Sequence, residues 1–245
     1  ESWAKRSGQV LWGNHDRKRT TSVYWRAPFA WEDRAGRFFR EHGRRQRVFC
    51  ASLADVFDNQ APQTWRDDLF ALIRKTPSLD WLVLTKRPQN IAKMLPGDWG
   101  DGYDNVWLGT TAEDQARYDQ RWPHLAAIPA AARFISYEPA IGPLRLAASG
   151  MQPDWLICGG ESGGKARDFE PDWARQAKAD CTARGVAFFF KQWGRPANNP
   201  LVRERGMTPA EAKARDPHGK GGGLLDGRLY RAFPSTKSLE AMAAE

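Results

Sequence analysis

The segment 155–167, WLICGGESGGKAR, runs an apolar stretch into glycines and a lysine. Gly159 and Gly164-Lys165 have the G-x-x-x-x-G-K spacing of a loop whose backbone amides cradle phosphates. Two features argue against that chemistry. The next residue is Ala166, which lacks the hydroxyl that would hold magnesium, and the following helix signal, Pro171-Asp172, comes too late for the lysine to open the helix. The better reading is a glycine loop at a strand end that lets a ligand approach closely, with Glu161 as its polar reader.

Polar residues close every other apolar run as well. The ends carry Ser52 and Asp55; Thr85, Lys86 and Arg87; Thr110, Thr111 and Glu113; Ser136, Tyr137 and Glu138; Gly159, Gly160, Glu161 and Ser162; and Lys191, Gln192 and Trp193. Singly, each reads as a cap or turn residue. Gathered at one rim, they would form a pocket of mixed charge suited to a zwitterionic or phosphorylated small molecule. Asp55, Glu113, Glu138 and Glu161 could instead hold Mg²⁺ or Mn²⁺, since hard cations take oxygen ligands. The four histidines, His15, His42, His124 and His218, lack ligand spacing and give no support to a zinc site or a Ser-His-Asp triad.

The runs that must position these residues are 47–52 (RVFCAS), 81–86 (WLVLTK), 106–111 (VWLGTT), 133–138 (RFISYE), 155–160 (WLICGG) and 186–191 (VAFFFK). Each is nearly continuous in apolar residues, as parallel strands buried on both faces are. Helical patterns lie between them at 64–75, with Thr64 as N-cap, at 112–127, and at 171–184, closed by Gly185. Alternating strands and helices predict a parallel sheet, either doubly wound or a (β/α) barrel. The expectation is one α/β domain over 1–245. It comprises an N-terminal helix and loop region (1–46), a core with six visible parallel strands (47–194) and an irregular, mobile C-terminal extension (195–245). Within the extension, 223–228 (GLLDGR) predicts a hairpin turn around Asp226-Gly227, and 237–245 a frayed helix or tail. The first residues, ESWAKRSG, read as mid-helix without an N-cap or initiator Met, which predicts further sequence upstream.

A net charge of +8 among 245 residues suits a polyanionic partner, and a solvated basic surface accounts for it equally well. Trp3, Trp12, Trp25 and Trp31, interleaved with basic residues, could stack on bases, whereas Trp81, Trp107 and Trp155 open strands and read as core. Cys50, Cys158 and Cys181 are far apart, with no disulfide framework or metal spacing, which predicts a reducing, cytoplasmic setting. No run is long and apolar enough for a membrane span.

Taken in order, ASLADVF, WLVLTKRPQN, VWLGTTAEDQ, RFISYEPAIGPL, WLICGGESGGKAR, FFFKQWG and LLDGR resemble an uncharacterised phage- and prophage-associated family of radical SAM-like proteins, a domain of unknown function. The match runs from about Arg47 to Gly194 and reaches the LDGR element. The resemblance implies a partial (β/α) barrel of radical SAM or TIM-like type, with S-adenosylmethionine and a [4Fe–4S] cluster as cofactors. Family members carry a cysteine segment ending in Cys-Tyr-Ala. This chain lacks it, so the cluster ligands are expected upstream of Glu1. Under this resemblance Ser52, Asp55, Thr85, Glu113, Glu138, Gly159, Gly160 and Glu161 line the cofactor and substrate site, while Lys86 and Lys191 neutralise carboxylate or phosphate. The phage setting and the basic charge fit a nucleic-acid or nucleotide substrate. A non-catalytic nucleic-acid-binding phage accessory protein and a metal-dependent phosphoesterase are the alternatives.

Overall fold

The computed structural model describes residues 17–50 and 54–235. Six strands, β1 (Gln46–Cys50), β2 (Leu79–Thr85), β3 (Val106–Thr111), β4 (Ala132–Tyr137), β5 (Trp155–Gly159) and β6 (Ala187–Gln192), form one sheet. Every neighbouring pair is parallel, and spatial order follows chain order. That order decides between the two architectures the alternation leaves open. A doubly wound sheet reverses direction at a switch point, whereas here each strand is added to the same growing edge. The result is a six-stranded half-barrel, consistent with a partial (β/α) barrel.

Helices α1 (Ser22–Glu32) and α2 (Ala35–His42) precede the sheet. The crossovers carry α3 (Gln63–Arg74), α4 (Ile91–Met94), α5 (Gln115–Ala126) and α6 (Pro171–Arg184). Two predicted helix starts shift. Thr64 lies inside α3 because Pro62, at φ −56°, already provides the N-cap. The start of α5 falls at Gln115, since Asp114 accepts from the Arg117 amide at 3.0 Å. Only α6 keeps its predicted limits, with Gly185 left-handed at φ 67°.

The extension is less irregular than expected. It holds α7 (Pro200–Arg203) and α8 (Pro209–Arg215), and its turn-forming residues act as caps: Asn199 accepts from Leu201 N, and Thr208 with Glu211 forms a capping box. Buried Asp216 ties the segment together, accepting from Gly223 N and Leu224 N, each at 2.9 Å. The predicted turn at Asp226-Gly227 is present, with φ 48° and 80° and an antiparallel Leu225–Arg228 bridge. Segments 1–8 and 237–245, together with Ser52, Trp3, Trp12 and His15, lie outside the described residues.

Alternation along each strand divides the core. One face of the sheet, with Val83, Leu108, Ile135, Leu156 and Phe190, packs under the helices. The other is concave, and its floor is aromatic: Trp107, Phe134, Trp155 and half-buried Phe189 gather there. Trp155 meets Trp107, Phe134, Phe189 and Phe233 at centroid distances of 5.0 to 6.0 Å. Phe233 comes from the segment after β6, which bridges Phe189 through Arg231 and brings Ala232 O to Trp155 Nε1 at 2.9 Å. Across the floor, the Arg47 guanidinium of β1 lies 3.6 Å from the Phe233 centroid.

Beside it Asp80 is buried, and Arg45 Nη1 approaches it at 3.7 Å. Burial raises the Asp80 carboxyl despite these arginines, and lowers Arg47 to about 10.

Gly109 makes the floor fit, because a Cβ there would lie 2.2 Å from the Phe134 ring. Gly109→Ala should therefore overpack the floor and destabilise by about 1–3 kcal/mol in urea unfolding. Phe134→Leu in the same chain should make the combined loss less than additive.

Candidate functional site: the mouth of the half-barrel

Ligands of parallel α/β folds bind beyond the C-terminal strand ends, and here those ends hold linked charges. Continuing the concave face upward from the aromatic floor brings Thr111, Ser136, Glu138 and Gly159 to the mouth. Alternation from Phe189 puts Lys191 on the same face, its Cβ 3.4 Å from where a Gly159 Cβ would lie, and a bulge there makes Gly159 pair with Gln192. The Lys191 ammonium lies 3.1 Å from Glu138 Oε1.

The glycines of the β5 loop have packing roles that their spacing did not reveal. A Cβ on Gly159 would sit 2.7 Å from Glu138 Oε1, and one on Gly160 would sit 2.1 Å from the Trp193 carbonyl oxygen. At these two glycines the space is filled by the protein's own carboxylate and backbone, whereas Gly163 and Gly164 face open space. No helix starts at Lys165, since α6 begins at Pro171, which agrees with the late helix start read from the sequence.

Two further pairs complete the rim. Glu113, after β3, is held by Lys86, which also donates to Thr111 Oγ1 at 3.2 Å, and by Arg121 Nη1 at 2.8 Å. Glu161, after β5, accepts from Arg167 Nε at 2.8 Å, Nη2 at 3.1 Å and the backbone amide at 3.0 Å. Arg167 also feels the charge of Glu113, so the β3 and β5 ends share one electrostatic environment. Lys220, from the extension, donates to Ser162 Oγ at 3.4 Å.

Asp55 and Thr85 scaffold the opposite side of the rim. Asp55 accepts from Phe57 N, Thr85 Oγ1, Lys86 N and Arg87 Nη1 at 2.7 to 3.1 Å, locking the β1 and β2 loops together. Arg121 and Arg167 were missed by sequence reasoning because they leave no strand end: one lies inside α5 and the other beyond the glycine loop. The Trp25 and Trp31 rings are partly buried against the core, and Arg19 lies 4.0 Å over Trp25, which removes Trp25 as a free stacking platform.

The rim carboxylates differ in character. Burial raises Glu138 above the usual carboxylate range, and Lys191 offsets this only in part. Burial also acts on Glu113, but Lys86 and Arg121 outweigh it and lower the group. Hydrogen bonds from Arg167 lower Glu161. The mouth therefore combines a carboxyl raised by burial at its centre with two lowered by their cation partners at its edge.

Among the described residues no group of three or more His, Cys, Asp or Glu side chains converges as a metal site. No helix of the described residues is long and apolar enough to cross a membrane. In comparison with known families, the profile described as Protein of unknown function (DUF5131) matches residues 2–234. No curated protein matches, and no solved structure matches.

The two kinds of carboxylate should have opposite pH signatures. Glu161, lowered on folding, contributes stability present above its unfolded pKa and lost as pH falls through the folded value. Glu161→Gln should therefore cost up to about 0.5 kcal/mol at neutral pH, discounted for solvent screening, and nothing in acid. Glu138, raised on folding, loses stability as pH rises through the carboxylate range, so Glu138→Gln should gain relative to wild type over that interval. Urea unfolding between about pH 3 and 7 checks both signs.

Proposed function

We propose that this chain, which belongs to the DUF5131 family of proteins of unknown function, is an enzyme barrel that binds a zwitterionic adenosyl ligand of the S-adenosylmethionine type at its mouth. The observation that carries this reading is the set of three carboxylate–cation pairs, Glu113 with Lys86 and Arg121, Glu138 with Lys191, and Glu161 with Arg167, on the ends of consecutive strands β3, β4 and β5. An amino-acid headgroup brings one ammonium and one carboxylate. A rim of paired charges can exchange its internal partners for those of such a ligand without leaving a buried charge alone. Thr111 and Ser136 add hydroxyls, and Phe49, 48% exposed on β1, offers an aromatic face for the base.

The resemblance stated above would add radical chemistry on that ligand, with hydrogen abstraction from a nucleotide-related substrate. The chain's own thiols do not fit the cluster such chemistry uses. Cys158 and Cys181 are buried under the helices, and Cys50 packs against the same layer. Burial pushes Cys50 and Cys181 up to about 12 and Cys158 well above its ordinary value, which disfavours the thiolates a cluster needs. No reaction step is therefore derived through a cluster. The chain's residues bind and orient the ligand, and Glu138 can hold or release a proton beside it. The metal-dependent phosphoesterase alternative gains nothing from the geometry, because Glu113, Glu138 and Glu161 face cations and Asp55 is saturated by four donors.

Isothermal titration with S-adenosylmethionine should show saturable binding, and Lys191→Ala and Glu138→Gln should each weaken it about tenfold or more, the loss expected for a charge-assisted hydrogen bond. Absence of binding by the folded wild-type chain, or binding that neither substitution changes, would overturn the proposal.

A further inference from the structure

Away from the mouth, the chain concentrates positive charge on one short stretch before and into β1. Arg34, Arg37, Arg40, Arg44, Arg45 and Arg47 fall within 34–47, against the single carboxylate Glu41. Helix α2 lies at the centre of this stretch and has no buried residue, so core packing does not account for its side chains. Arg34, Arg37 and Arg40 are exposed. Arg40 makes no ion pair or side-chain hydrogen bond among the described residues, Arg34 donates only to Ala30 O near the end of α1, and Arg37 is held by Glu41 at 2.7 Å.

The arginines surround an aromatic cleft. Trp31, Arg34, Arg37, Phe38, Glu41 and Gln46 line an opening of about 420 Å³ between α1, α2 and the start of β1. The Phe38 ring is already engaged by His42, at a centroid distance of 4.3 Å, and by the Arg44 guanidinium at 5.1 Å, which leaves Trp31 as the aromatic wall. An aromatic wall with guanidinium groups at the lip suits one chemistry above others: an unstacked nucleobase in the cleft with its flanking phosphates on the arginines. Gln46 adds a donor and an acceptor that can meet a base edge, while Glu41 is engaged by Arg37 Nε at 2.7 Å. A duplex keeps its bases stacked and cannot offer one to such a cleft. We propose that the α1–α2 cleft is a binding surface for single-stranded nucleic acid. The inference is independent of the mouth and its ligand.

Fluorescence anisotropy with a labelled oligonucleotide of about 20 nucleotides, titrated over a series of KCl concentrations, tests it. Four arginine–phosphate contacts predict a slope of log K against log salt of about −3 for a single strand. The double variant Arg34→Glu/Arg40→Glu should bind about tenfold more weakly or worse and show a shallower slope. Lys213→Glu/Arg215→Glu, the same charge change on α8 beyond the opposite edge of the sheet, should leave affinity unchanged. S-adenosylmethionine titration of the α2 double variant, with a circular dichroism melt to confirm folding, separates the two readings, since the mouth should be unaffected. No oligonucleotide binding by wild type at about 50 mM KCl, equal losses in both double variants, or binding to phosphatidylserine vesicles in place of oligonucleotide would overturn the proposal.

Discussion

Trp155 is where the half-barrel is held together. Its ring touches Trp107 and Phe134 from β3 and β4, Phe189 from β6, and Phe233 from the segment after the sheet, while its indole N–H is satisfied by Ala232 O. A closed barrel fills its interior by convergence of strands from all sides. Six strands cannot do so, and their concave face would be left wet. The aromatic floor substitutes for the missing strands, and Arg47 over Phe233 links β1 to the segment that follows β6.

With the floor filled, the polar chemistry is confined to the upper half of the concave face. Strand alternation then does the placing: floor residues and mouth residues on one strand belong to the same face, so Phe134 below implies Ser136 and Glu138 above. Phe189 below likewise implies Lys191 above, where its ammonium meets Glu138, and the bulge changes only the residue that pairs with Gly159. Gly109 and Gly159 serve the same architecture at two levels. One admits the Phe134 ring and the other admits the Glu138 carboxylate.

Charge has been distributed with equal economy. The mouth carries nearly balanced pairs, suited to a ligand with both signs, whereas the stretch around α2 carries more arginines than carboxylates, with Arg40 unpaired among the described residues, which suits a polyanion. A single net charge of +8 does not distinguish these two situations, because it sums over them.

The sequence by itself determined the parallel α/β class, the six strands to within a residue or two, α6 between Pro171 and Gly185, and the polar strand ends. These follow from local physics: buried parallel strands are continuously apolar, and prolines, glycines and cap residues act within a turn. Only the tertiary structure decided single rather than double winding, because strand order depends on which edge each crossover reaches. It also decided that Gly159 makes room for Glu138, that Arg121 reaches Glu113 from a helix, and that Cys50, Cys158 and Cys181 lie with the helix layer. Such contacts join residues separated by eight positions or more, and no periodicity records which of many such pairs a folded chain will form.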